Sequence, residues 1–219
     1  MAKQINAAQA AEMVKDGMTV MVGGFMSIGT PIILIDALVE KGVKNLTLIS
    51  SDTCTPGVGT GKLIAAGAIK KLIASHIGLN PVTGRLLNEG KLDVCLVPQG
   101  TYAEQIRAGG AGLGGVLTAT GLGTDVAAGK QIITVDGKDF LLEKPLRADV
   151  ALIRGSIIDE HGNIFYRGTT RNFNPLMATA ADIVIAAAEE IVPAGSIMPE
   201  NIVTPGVFVD FIVAGEKYE

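Results

Sequence analysis

Tryptophan is absent and aromatic residues make up only 4% of the 219-residue chain. A core without large rings has to be filled by Val, Ile, Leu and Ala, the usual filling of a parallel sheet covered on both faces. No basic run occurs and the net charge is −4, which leaves out the electrostatic footprint of a nucleic-acid binder. There are two cysteines, Cys54 and Cys95. That is too few for a disulfide framework, and both read as buried free thiols in a reducing compartment. With only His76 and His161 beside them, no metal-ligand spacing results, and no metal site is expected. No apolar run of about 18 residues is free of charges and turn residues, so no membrane span is expected. The first residues carry no charged-then-apolar signal. A cytoplasmic protein is the expectation.

What is present is apolar and glycine-rich: hydrophobic residues are 48% of the chain and glycines number 28. Asn6, with Gln9 three residues on, marks a capped helix over 7–15. Strand-and-helix alternation follows, with strands at 19–22, 46–50, 69–75 and 92–97 and helices at 31–41, 62–66, about 85–88 and 102–108. Near-continuous apolar strands separated by helices predict a doubly wound parallel sheet. After residue 110 the rhythm changes. An Asp136-Gly137 turn makes a hairpin of 131–135 and 138–142, a small antiparallel addition to the sheet. Further strands are expected at 148–153, 164–167, 183–186 and 207–214, with a turn at 159–163 and a helix at 174–180. No linker separates the halves, so 1–219 reads as a single α/β domain.

Five glycine clusters compete for a site. Gly110 to Gly115 matches the spacing of a dinucleotide loop, but it follows a helix, the wrong setting. Gly23-Gly24-Phe25 alone sits between a strand and a helix, where backbone N–H groups can face an anionic ligand. Pro98-Gln99-Gly100 ends the fourth strand at the same sheet edge, so the two loops should face one another. Gln99 could donate a hydrogen bond to a developing oxyanion, or simply brace its own loop. No nucleophile stands out. His76 and Glu104 are weak candidates for a base, with a loop brace and a solvated helix face as the plainer readings.

The stretch from Asp16-Gly17 through Val20-Met21-Val22 and Gly23-Gly24-Phe25 to Gly29 and Pro31 resembles the first signature of family I coenzyme A transferases. Residues 98–112, Arg171-Asn172-Phe173-Asn174-Pro175 and Ile202-Val203-Thr204-Pro205-Gly206 resemble three further blocks. The likeness spans nearly the whole chain and is nearest to A (alpha) subunits of two-subunit enzymes of the acetate/butyrate–acetoacetate type.

The resemblance implies a three-layer α/β/α sandwich with a mostly parallel sheet. It implies CoA transfer from an acyl-CoA to a free short-chain acid, by a ping-pong mechanism through a glutamyl-CoA thioester. It assigns CoA contact to Gly24, Phe25, Met26, Ser27, Ile28, Gly29 and Thr30, and a position beside the thioester carbonyl to Gln99. No cofactor is implied, since CoA is a substrate. The family's glutamate lies in a Ser-Glu-Asn-Gly motif of the B subunit. Here the one Glu-Asn pair, Glu200-Asn201, is followed by Ile202. A B-subunit partner, an A2B2 assembly and inactivity of this chain alone are therefore expected. Two alternatives remain open at this point: a sugar-phosphate isomerase on a related fold, and a non-catalytic acyl-CoA-binding module.

Overall fold

The computed structural model describes residues 2–217. The chain order is β1 (Lys3–Ile5), α1 (Ala7–Met13), β2 (Thr19–Val22), α2 (Ile32–Lys41), β3 (Leu46–Ser50), α3 (Thr60–Ala65), β4 (Ile69–Ala74), α4 (Pro81–Asn88), β5 (Asp93–Leu96) and α5 (Gln99–Gly110). Then come β6 (Val116–Thr118), β7 (Ile132–Val135), β8 (Lys138–Glu143), β9 (Ala148–Asp159), β10 (Ile164–Phe165), α6 (Asn174–Met177), β11 (Ala181–Val192) and β12 (Phe211–Ala214).

The main sheet has the order β1-β12-β11-β9-β2-β3-β4-β5, all parallel, with β10 added antiparallel to β9. Alternation along the central strands sorts side chains to two faces. Val20, Val22, Val150 and Leu152 join the core beneath α1 to α4, while Met21, Ala151 and Ile153 join the core shared with α5 and α6. The result is the expected three-layer α/β/α sandwich. The pairing of β9 with β2 puts both halves of the chain in one sheet.

The N-terminal signal is realised as read. Asn6 Oδ1 accepts the Gln9 N–H at 2.8 Å, and Gln9 Oε1 accepts the Asn6 N–H at 3.0 Å. The expected hairpin is also there, but a third strand, β6, completes a separate antiparallel sheet of order β6-β8-β7.

Two central strands overrun their expected ends. β9, expected at 148–153, runs on through Arg154 to Asp159, and β11, expected at 183–186, spans Ala181–Val192. The Arg154 guanidinium is only 2% exposed and is paired at 3.0 Å with Glu189 of the neighbouring β11. The last strand is shorter than expected, because a single helical turn at Gly206–Phe208 occupies its first residues. Cys54 is buried, but Cys95 is exposed, contrary to expectation, because β5 is the sheet's edge strand.

Candidate substrate site

After β2 the chain enters a two-residue hairpin. Phe25 N–H donates to Ile28 O at 3.0 Å and Ile28 N–H returns to Phe25 O at 3.1 Å. The two residues between them, Met26 (φ 51°) and Ser27 (φ 74°), both adopt left-handed backbone. Such turns favour Asn-Gly. A residue with a Cβ in this region is strained by about 1–2 kcal/mol, and strain of this kind persists where the surroundings over-determine it.

Three side chains do so. Asp52, 4% exposed, accepts the Met26 N–H on Oδ2 at 2.8 Å and the Cys54 N–H on Oδ1 at 2.7 Å. Asn172 accepts the Gly24 N–H at 3.1 Å and donates to Ile28 O at 2.9 Å. Asn174, fully buried, accepts the Arg154 N–H at 3.0 Å and donates to Gly29 O and Thr170 O at 2.9 and 2.8 Å. Gly23 is the residue that lets Asn174 in: a Cβ there would fall on Asn174 Oδ1.

The expected row of free N–H groups is therefore largely used up. Those of Gly23, Gly24, Phe25, Met26, Ile28 and Thr30 all have partners, to Leu152 O, Asn172, Ile28 O, Asp52, Phe25 O and Ser27 O. The Ser27 N–H points at the Cys54 thiol, whose pKa is raised by burial. What the turn shows outward is apolar: Phe25, Met26 and Ile28 are 37%, 46% and 48% exposed. Gly24, Gly29 and Thr30 are buried and Ser27 is half-buried.

The loops after β2 and β5 do meet. Phe25 and Ile28 line one cavity of about 430 Å³ together with Gln99, Thr169, Asn172 and Phe173. Gln99 is exposed and opens α5 rather than sitting in a loop before it. Pro98 precedes it with no side-chain cap, and the first intrahelical bond is Tyr102 N–H to Pro98 O at 2.8 Å. The helix therefore begins three residues earlier than the sequence suggested. The Tyr102 ring meets Phe173 edge-on, with centroids 5.5 Å apart. Burial, and then the charge of Asp52, push its phenol pKa well up, so it stays neutral. The cavity lining holds no carboxylate, thiol or imidazole. It has an apolar wall and the Gln99 amide as a donor, and its one hydroxyl, that of Thr169, has no base in the lining to activate it.

The other candidates lie outside this cavity. His76 is exposed beyond β4, its ring near Gly78. Glu104 pairs with Arg107 at 3.1 Å on an exposed helix face. Glu200 is exposed. On the far side of the turn, a cavity of about 260 Å³ is lined by Ile28, Gly29, Arg154, Arg167 and residues 168–170. Both of its guanidinium groups are already paired, with Glu189 and Glu190. No cluster of three metal-ligating side chains exists among the described residues. No helix there is long and apolar enough to cross a membrane.

Residue-level reading missed Asp52, Asn172 and Asn174 as the supports of the turn. The only sequence signal for the two asparagines was the block 171–175. Asp52 had none.

A family model described as Coenzyme A transferase matches residues 4–215. The chain is 54% identical over 215 residues to the acetate CoA-transferase subunit alpha of Escherichia coli K12, covering 98% of each. It is 59% identical over 199 residues to the acetoacetyl-CoA:acetate/butyrate CoA transferase alpha subunit of Clostridium acetobutylicum, covering 91% of each. Among solved structures it superposes on an acyl-CoA transferase apoenzyme from Escherichia coli O157:H7 with a TM-score of 0.88 at 23% identity. The superposition covers 98% of this chain and 47% of that one, so this chain spans about half of its length. The glutaconate coenzyme A-transferase of Acidaminococcus fermentans gives a TM-score of 0.85 at 20% identity, over 98% of this chain and 76% of that one. Both share the fold.

Proposed function

The chain belongs to the coenzyme A transferase family, and from that premise we propose that it is the A subunit of an enzyme that exchanges CoA between acetoacetyl-CoA or another short-chain acyl-CoA and a free acid such as acetate or butyrate. The identity to two alpha subunits over nearly their full length supports this substrate class. The observation that supports the division of labour is the cavity between the Phe25–Ile28 turn and Gln99, whose lining holds no carboxylate, thiol or imidazole.

In this reading a glutamate carboxylate of the complementary subunit attacks the thioester carbonyl. The C–S bond breaks, the CoA thiolate leaves, and an acyl-glutamyl anhydride forms. The thiolate then attacks the glutamyl carbonyl and releases the first acid, leaving a glutamyl thioester. The incoming carboxylate reverses the two steps and departs as the new acyl-CoA. No electrons are exchanged, no water enters, and no resident cofactor is needed. Splitting one hard displacement into easier ones is the gain of covalent catalysis.

Gln99 donates its amide N–H to the carbonyl oxygen as negative charge develops there. Of the stretch 24–30, Phe25 and Ile28 form the apolar wall against CoA, while the buried Gly24, Gly29 and Thr30 shape the turn that presents them. The same reading takes the enzyme to be two A and two B chains in the cytoplasm. The isomerase alternative gains nothing from the cavity, which lacks an acid–base pair.

Gln99→Ala in the assembled enzyme tests the role of the amide. Turnover should fall by about 10²–10³ with assembly intact, the size of one lost oxyanion donor. Unchanged turnover would take Gln99 out of the chemistry.

A further inference from the structure

The small antiparallel sheet turns an apolar face away from the body of the molecule. Leu117 stands opposite Leu142, and Ile133 opposite Phe140. Side chains alternate along a strand, so these four and Val135 share one face. The opposite face turns inward along β8, where Leu141 is fully buried and Glu143 is 2% exposed, while Ile132 on the edge strand β7 is 54% exposed. Glu143 is held there by Lys130 at 2.6 Å and by Gln105 of α5 at 3.0 Å. None of the five outward residues is buried, and none joins either core. Leu117 and Val135 are each 42% exposed. An antiparallel sheet with one face on the protein normally gives water a polar second face. This one offers five apolar side chains, with Lys138 opposite Val135 as the charge at the turn end of the face.

We propose that this face docks the complementary subunit of the transferase, an inference that rests on the reading of the chain as an A subunit. Three observations select that occupant over a second copy of this chain. First, the face is continuous with the candidate site. Residues 116–118 and Thr120 form a cavity of about 550 Å³ with Gly100, Thr101, Ala103 and Glu104 of α5, and Gln99 is the next residue along that helix. A chain seated on the sheet walls this cavity and reaches the thioester position. Second, the site lacks a carboxylate, thiol or imidazole, and a second copy would bring the same deficient set. Third, two exposed side chains and three half-buried ones (Ile133, Phe140 and Leu142) offer at most about 300 Å². A stable interface needs about 800 Å² per partner. A symmetric sheet-on-sheet dimer confined to this face falls short, whereas a partner that also covers the first turns of α5 does not.

The test uses the complex of this chain with its complementary subunit. Ile133→Lys places a charge opposite Phe140 in the middle of the face, and Val135→Lys adds one beside Lys138 at its turn end. Each should raise the dissociation constant of the complex by about 100-fold, measured by analytical ultracentrifugation. The melting temperature of the isolated chain should stay unchanged, because neither side chain is buried. Leu87→Lys, 37% exposed on α4, should assemble as the unsubstituted chain does. Wild-type affinity of both sheet variants would overturn the proposal, and so would equal weakening by Leu87→Lys. Dispersal of a self-associated form of this chain with the mixed complex left intact would also overturn it. The two readings fail separately. Sheet variants that assemble and still transfer CoA sink the docking face alone, whereas an unsubstituted pair that assembles without transferring CoA sinks the function.

Discussion

Asp52 gives both carboxylate oxygens to backbone N–H groups, those of Met26 and Cys54, and each of these residues sits at positive φ (51° and 50°). One buried carboxylate thus holds two strained segments on neighbouring loops. Asp52→Ala leaves the buried Cys54 N–H and the part-buried Met26 N–H without an acceptor, and the chain should lose about 1–3 kcal/mol of stability, read as a lower denaturant midpoint. Asp52→Asn, which keeps one acceptor oxygen, should recover part of the loss. An unchanged midpoint for the alanine variant would mean that the turn is held by Asn172 and Asn174 alone. At this scale the sequence was legible in patches. Gln99 and Phe25 could be found because a strand end followed by glycine has a recognisable form, and because the surrounding block has a family likeness. Asp52 could not, since nothing local in residues 50–54 says that its carboxylate reaches back to residue 26. Cys95 was misjudged for the same reason, because edge position is a property of strand order, not of the residues around it.

Among the elements, the β9–β10 turn shows how a polar residue can be structural. Asp159 is 1% exposed and accepts the backbone N–H of His161 at 3.0 Å and of Asn163 at 2.9 Å, together with the Asn163 side-chain amide at 2.9 Å. Burial pushes its carboxyl up, but these bonds outweigh it and hold the pKa below the ordinary value. A depressed folded-state pKa stabilises the protein above the unfolded value of about 3.9, and that contribution is lost as pH falls through the folded value. Unfolding free energy measured below about pH 4 should therefore drop as acid is added, and Asp159→Asn should flatten that slope. A variant with the same slope as the parent would show that other carboxylates carry the acid transition. The alternation of strands and helices up to residue 110 could be read because each element is written in local periodicity. The tail of β9 could not, because Arg154 looks like a surface charge until its partner on β11 is known. The three residues of β6 are too short a signal to register.

For the whole molecule, the decisive contacts are those furthest apart in sequence. β9 lies against β2, and Asn172 and Asn174 close over residues 24–29. Strand order of this kind is set by non-local pairing, so the parallel sheet was foreseeable and its order was not. The same long-range folding assembles a cavity with an amide donor and an apolar wall, and leaves it without a carboxylate, thiol or imidazole. The central claim is that this chain positions the thioester while the covalent chemistry belongs to its complementary subunit. The assembled enzyme, incubated with acetoacetyl-CoA, treated with borohydride and mapped by peptide mass spectrometry, tests this directly. The account predicts one reduced glutamate on the complementary subunit and none on this chain. A reduced carboxylate within this chain, at Glu104 or Glu200 for example, would contradict it.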